Sequence, residues 1–487
     1  MTSVLAHSVP VAEIETLEIG PWRTQLLERA RAGLRPLTMY GRRDGECVLL
    51  TVVHQDGAQL LVSRTSIDPT HGYHQLTSDL PALHCFEREL HEQLGVRVAG
   101  HPWLKPVRFE GQDQAAMASY PFYRVEGKEV HEVAVGPIHA GVIEPGSFRF
   151  MCFGEHVLHL EIHLGYQHRG VEQRLLERDP RSLAPWAETI AGDTTVAHCW
   201  AYAAAVEKIA HHEIDPEVEL ARAAALELER IAMHLAGLSG LAADIGFLPG
   251  ASTYGRLRTT AINTLMRLCG SRFGRGAIRA AGNGMHLDDE LASMLRANVE
   301  LLRHDGAIID DCFQSARSVH HRLAGVGVLS AESSAQLGVV GLAARSAGVP
   351  IDARLPAYGL YEHHPIKLCT EPTGDCWARA RIRIAEIQAS LDWLGRVLTE
   401  PHVWKPSRTR LAPLPPSRLG IAVVEGWRGE VVHCIETGSD GALVHYKVQD
   451  PSLRNWMGLA LAVRGNDISD FPICNKSFDL SYCGNDL

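Results

Sequence analysis

No two of the 11 cysteines in this 487-residue sequence form a Cys-x-x-Cys pair. The nearest approaches, Cys369 with Cys376 and Cys474 with Cys483, fit neither a zinc ribbon nor a dithiol redox motif. Scattered cysteines, odd in number, favour buried, reduced thiols over disulfides. Long apolar runs are lacking too. Every such run is broken by a charged residue, Gly or Pro before membrane-spanning length, and the first twenty residues hold Glu13, Glu15 and Glu18 without a basic start. The expectation is therefore a cytoplasmic chain with no anchor of its own. There is no clustered basic face, and the formal net charge is −10, which excludes a nucleic-acid surface. No Gly-x-Gly-x-x-Gly fingerprint supports direct binding of NAD.

What is present is an ordinary globular composition, 46% apolar and 21% charged, at a length that allows two packed cores. The histidines are many, 26, and the pairs His211-His212, His320-His321 and His363-His364 read as exposed loops or helix ends. The fold class expected is α+β. Strand-like runs over 47–53 and 59–63 flank a turn at Asp56-Gly57. A helix over 81–94 carries Leu83, Phe86, Leu90 and Leu94 on one side and ends at Gly95. These make a small α+β N-terminal domain, residues 1–124. Gly111 to Val130 reads as a linker, and residues 131–487 as a mainly α-helical domain with a peripheral β-sheet. In His156–Leu164, Leu158, Leu160, Ile162 and Leu164 alternate with His159, Glu161 and His163, and the second set reads as a solvated strand face. Asp215-Pro216 starts a helix with the apolar stripe Leu228, Ile231, Leu235 and Leu238, on which Glu227 and Arg230 can pair. Further helices are expected over 260–269, 287–302, 333–346 and 376–398, and a β-rich element over 420–448.

Two stretches carry the functional signal. Glu188 to Lys208 reads ETIAGDTTVAHCWAYAAAVEK, and Asn475 to Leu487 reads NKSFDLSYCGNDL. They resemble the paired cysteine motifs of the large subunit of group 4 nickel-iron hydrogenases of the formate hydrogenlyase type. That large subunit shares its family with the D component of respiratory complex I. Further words in matching order are GPIHAGVIEPG at Gly136, LGYQHRGVEQ at Leu164, ELERIAMHLAGL at Glu227 and EGWRGEVVH at Glu425. The segment ERELHEQLGVRVAGHPW at Glu87, with Gly95, Gly100, His101 and Pro102, resembles the C component of complex I, so the chain looks like a C-D fusion. The resemblance places four thiolate ligands on Ala191, Thr194, Ser481 and Gly484. Ala and Gly supply no donor, and Thr and Ser supply only weak, hard ones. The expectation is that this chain holds no nickel-iron centre and no metal. The sequence ends three residues after Gly484, where the family's large subunits are trimmed, so Leu487 is expected as the native end.

The same resemblance implies what else the site holds. Glu144 stands at the proton-relay glutamate of the hydrogenases and His139 at the quinone-contacting histidine of complex I, while the tyrosine of complex I falls on Gly192. His139, Glu144 and Asp193 are the candidate catalytic groups, with His168, Arg169, Gly192, Thr194, Thr195 and Ser481 lining a cavity. Each has a plainer alternative: a backbone bond for His139, a solvated loop acid for Glu144, a helix cap for Asp193, and an ion pair with Glu172 for Arg169. The expected function is proton-coupled electron transfer to a quinone or another small acceptor. The chain would act as the large subunit of a membrane-associated oxidoreductase complex, peripheral on the inner face of the cell membrane. The expected partners are an iron-sulfur small subunit like the B component of complex I, and antiporter-like membrane proteins. The alternative is an assembly or coupling subunit without catalysis of its own.

Overall fold

Residues 2–111, 114–141, 143–407 and 409–487 are described in the computed structural model of the protein. The principal elements, in chain order, begin with β1 (Leu5–Pro10), α1 (Ile19–Arg31), β2 (Arg35–Asp44), β3 (Cys47–Asp56), β4 (Gln59–Ile67) and α2 (His84–Leu94). A three-stranded sheet follows, β5 (Val130–Val135), β6 (Ser147–Phe153) and β7 (His156–His163). Next come α3 (Thr195–Ile209), α4 (Pro216–Asp244), α5 (Leu248–Cys269), α6 (Asp289–Ser315) and α7 (Cys376–Val397). The chain closes with β8 (Arg418–Glu425), β9 (Glu430–Thr437), β10 (Leu443–Gln449), α8 (Pro451–Ala462), α9 (Phe471–Phe478) and α10 (Tyr482–Asp486). Among the described residues no helix is long and apolar enough to cross a membrane.

α3 is the centre of the larger core. All its residues but Lys208 are buried, and a helix apolar on every side belongs inside a protein rather than on its surface. Its alanines let the sheet approach closely. A Cβ on Gly420 of β8 would stand 2.7 Å from the Ala205 carbonyl oxygen, so only glycine fits there. The sheet under α3 is antiparallel, in the order β1-β8-β9-β10. The N-terminal strand, read from sequence as part of a domain of residues 1–124, therefore pairs with Arg418–Val423 near the other end of the chain. The opposite face of this sheet packs on the first domain through Leu37, Tyr40, Val53 and Leu60, against Ile421, Val423 and Val432. Buried charges complete that contact: Arg35 grips both oxygens of Glu430 at 2.5 and 2.7 Å, and Lys447 meets Glu89 at 2.7 Å.

Several local expectations hold. α2 ends at Gly95 in the left-handed conformation, Asp215 caps α4 by accepting from the Glu217 amide, and Glu227 lies 3.5 Å from Arg230. Three do not. The helix expected over 333–346 is two short helices, Ala331–Gln336 and Gly341–Ser346. It breaks where Gly341 takes a positive φ and presses on the Arg428 carbonyl, leaving no room for a Cβ. α5 and α6 run well beyond their expected spans because glycines at 250, 255 and 306 are carried inside the helices. Finally, the strand face read as solvated is covered. A bulge between Val157 and His159 breaks the alternation, leaving Leu158 42% exposed while Glu161 and His163 are 3% and 1% exposed. Lys105 and Phe109, and Tyr123 of the segment read as a linker, lie over them. Lys105 reaches Glu161 at 2.6 Å, the Tyr123 amide donates to it at 2.8 Å, and Phe109 packs on His163.

Candidate functional site

The stretch before α3 and the C-terminal turn meet across a cavity of about 360 Å³. Arg169 ties them together, donating to the Thr189 and Ile190 carbonyls of the first and the Cys483 carbonyl of the second. Glu144, Gly192, Asp193, Ser481 and Cys483 line the cavity. Its remaining wall comes from Met233 of α4, Arg258 of α5, Phe273, Trp427 and the Lys476–Asp479 turn.

Charge pairs organise the cavity rim. Arg428 forks onto Asp193, Nη1 to Oδ1 and Nη2 to Oδ2, both at 2.7 Å, and lies 3.9 Å over the Trp427 ring. The Trp427 indole donates to the Asp193 carbonyl at 2.9 Å. Bidentate geometry of this kind fixes a side chain's direction as well as its energy. Asp479, the left-handed cap of α9, accepts from Lys476 at 2.9 Å. Burial raises the Asp479 pKa, but Lys476, Arg383 and Arg428 outweigh it and hold the carboxyl below its usual range. Arg258 forms no ion pair among the described residues. Below Asp193, the Glu229 carboxyl accepts from the Val196 and Ala197 amides at the start of α3, at 2.7 and 3.3 Å. Burial nonetheless pushes its pKa up to about 8.

The four positions of the ligand motif do not form a donor set. Ala191 is buried and has no donor. The Thr194 hydroxyl donates to Asp193 at 3.1 Å. The Ser481 hydroxyl caps α10, accepting from the Gly484 amide at 2.9 Å. At Gly484 the space for a side chain is taken, because a Cβ would lie 2.5 Å from Asp450 Oδ2. The one thiol on the cavity wall, Cys483, has its pKa raised to about 11 by burial and then by Glu144, so it stays protonated near neutral pH. A nickel-iron centre does not fit these residues.

The other candidates divide. Glu144, Asp193, Gly192 and Ser481 come together at the cavity. His139 does not line it: its Nε2 bonds the Gly146 carbonyl at 2.8 Å. Thr195 is turned inward toward the Phe273 carbonyl and Glu229. His168 bonds the Asp486 carbonyl and borders a different, smaller cavity, and Arg169 is a clamp rather than a lining group. Trp427, Arg428, Arg258 and Lys476 were not singled out from sequence. The first two lie inside the EGWRGEVVH word, and Lys476 lies inside the C-terminal stretch Asn475 to Leu487.

Comparison with known proteins agrees with this architecture. Residues 244–409 match the family described as respiratory-chain NADH dehydrogenase, 49 Kd subunit. The membrane-bound hydrogenase subunit alpha of Pyrococcus furiosus is 28% identical over 72% of this chain and 85% of its own length. Formate hydrogenlyase subunit 5 of Escherichia coli is 27% identical over 84% of this chain and 76% of its own length. NADH-quinone oxidoreductase subunit 4 of Thermus thermophilus is 29% identical over 72% and 92%. Among solved structures, a chain of the membrane-bound sulfane sulfur reductase, an archaeal respiratory membrane complex, superposes with a TM-score of 0.66. The match is at 22% identity, over 75% of this chain and all of that one, and it shows the shared fold. The chain is a homologue of the large subunits of membrane-bound hydrogenases and of the corresponding subunit of the respiratory-chain NADH dehydrogenase.

Proposed function

We propose that this chain is the large subunit of a complex I-like or hydrogenase-related oxidoreductase complex, peripheral on the cytoplasmic face of a membrane through its partners. Its cavity takes part in proton-coupled electron transfer to a quinone-like acceptor without a nickel-iron centre. The observation that carries the reading is the cavity itself, which keeps Glu144 at its wall while charged pairs stand where the ligand motif would be. Trp427 and Phe273 put aromatic surface on the wall, Arg258 a cation without a carboxylate partner, and Glu144 a carboxyl group. Electrons would come from an iron-sulfur small subunit packed beside it, and antiporter-like proteins would hold the assembly to the membrane.

A second reading, a coupling subunit without catalysis, is favoured by the Asp193–Arg428 fork, which locks the loop before α3 to the β8–β9 turn. One experiment separates the two. In the purified membrane complex, Glu144→Gln is expected to slow reduction of quinone analogues about 100-fold, the lower range for a lost proton-transfer group. His139→Ala is expected to leave the rate within about threefold, since its ring bonds a backbone carbonyl. Unchanged rates in both variants would favour the coupling reading, and stoichiometric nickel in the complex would reject both.

A further inference from the structure

Four polar groups form a continuous chain through the core. Asp450 Oδ2 lies 3.1 Å from His198 Nε2, His198 Nδ1 lies 3.1 Å from His433 Nε2, and His433 Nδ1 lies 2.8 Å from the Tyr446 hydroxyl. The side chains come from the cap of α8, from α3, from β9 and from β10, and none is more than 1% exposed. Burial of this kind is costly for polar groups unless every member is satisfied, and here each one is.

The chain has a direction. Burial raises the Asp450 pKa, but the hydrogen bond and charge of His198 and the charge of Arg428 outweigh it and hold the carboxyl below its usual range, which favours the carboxylate. Burial holds His433 well below the ordinary histidine range, so that ring is neutral. A carboxylate end accepts only, so His198 carries a proton on Nε2. With both rings neutral at rest, the remaining donors follow. His198 donates Nε2–H to Asp450, His433 donates Nε2–H to His198 Nδ1, and Tyr446 donates O–H to His433 Nδ1.

Both ends adjoin cavities. The Asp450 carboxylate packs on Gly484, and its neighbour Ser452 accepts from the Ser481 amide at 2.9 Å, directly behind the wall of the main cavity. Tyr446 borders a cavity of about 180 Å³ with Glu110, His168 and Glu172, which reaches the surface at Gln173.

We infer that Asp450, His198, His433 and Tyr446 form a reversible one-proton relay that compensates negative charge arriving in the main cavity. This rests on the proton-coupled function proposed above. When an electron enters, the Tyr446 O–H bond breaks as His433 Nδ1–H forms. His433 Nε2–H breaks as His198 Nδ1–H forms, and His198 Nε2–H breaks as Asp450 Oδ2–H forms. Tyr446 recovers its proton from water in the outer cavity, so the net change is one proton moved from bulk to Asp450. The rings are fully enclosed and cannot turn over to reset the chain. The proton therefore leaves by the way it came when the electron leaves, which makes this a store and not a conduit.

Redox-difference infrared spectroscopy of the purified membrane complex tests the relay. Reduction is expected to produce a carboxylic acid carbonyl band that shifts in D2O, and to take up one proton that Asp450→Asn and His433→Gln do not take up. A band that persists in Asp450→Asn, or that survives in His433→Gln, would overturn the relay. Nitrogen NMR of the wild-type chain with labelled histidine needs no variant: finding Nδ1–H on His198 or His433 in the oxidised state breaks the chain as drawn. If the wild-type complex reduces quinone analogues without this band, the relay falls and the proposed function stands. If it reduces no acceptor while its clusters reduce, both fall.

Discussion

Returning a side chain to position 484 should damage the fold, and the size of the damage follows from the geometry. In Gly484→Ala the new Cβ would lie 2.5, 2.6 and 2.9 Å from Oδ2, Cγ and Oδ1 of Asp450, whereas ordinary contact begins at 3.4 Å. The carboxylate must therefore retreat by close to an ångström. It has nowhere to go: it is 1% exposed, Oδ1 accepts from the Ser452 amide at 2.8 Å, and Oδ2 meets His198 at 3.1 Å. Overpacking a tight site costs about 1–3 kcal/mol, and loosening a hydrogen bond to a charged group about 1.5–3 kcal/mol. The expected loss is about 3–5 kcal/mol, read as a lower urea midpoint in equilibrium unfolding followed by tryptophan fluorescence. The control is the same substitution in an Asp450→Ser background, where the shorter side chain still caps α8 but no longer fills the space. There the loss should shrink by about 2 kcal/mol or more, a coupling typical of residues in contact. Equal losses in both backgrounds would show that Asp450 does not close the fourth ligand position.

Glu229 should make stability depend on pH. Its folded pKa is raised above the unfolded value of 4.5, to about 8, so its contribution is complete below the unfolded value and is lost as pH rises through 8. Each pH unit in that window is worth about 1.4 kcal/mol. Unfolding of Glu229→Gln at pH 5 and pH 8 should therefore show the variant gaining on the wild type as pH rises, and a constant difference would refute the assignment. Arg35→Met should cost about 3–5 kcal/mol by leaving the buried Glu430 carboxylate unpaired, and Arg35→Met with Glu430→Gln should recover most of it. Limited proteolysis should then report loosening of residues 35–67 from the β8–β10 sheet in the single variant alone.

Much of the helical layer was legible because its signals are local. Asp215-Pro216 announces α4, Asp56-Gly57 announces the β3–β4 hairpin, and Gly95 announces the end of α2. The misses share one cause, which is that distant chain decides them. Nothing near Glu161 tells that Lys105 will cover it, and nothing near Gly341 tells that the Arg428 carbonyl will press on it. β1 was not recognised as a strand because its partner lies at Arg418–Val423, on the far side of the sequence. α1 was missed for a local reason, since only Trp22 and Leu26 are buried along its face. At the site, the resemblance pointed to two stretches that meet at the cavity and to Glu144 and Asp193, which line it, but it could not show what fills the ligand space. Asp450 stands at the cap of α8, outside both stretches, and carries no motif of its own.

The charged groups at the cavity largely balance one another without a metal. Four thiolates concentrate negative charge that only a bound cation offsets. Here the wall carries Glu144, Asp193 and Asp479 against Arg258 and Lys476, with Arg428 behind Asp193. Two of the carboxylates are already answered, Asp193 by Arg428 and Asp479 by Lys476. The wall groups without an oppositely charged partner among the described residues are Glu144, which bonds Cys483, and Arg258. That pairing offers little to a metal ion, which needs several converging donors. On the function proposed above, the cation would stabilise negative charge forming on a neutral ring as it is reduced. Ala191, Thr194, Ser481 and Gly484 leave the ligand space without a metal's donors, and the charge around it is balanced by the protein's own Arg428, Lys476 and Arg258.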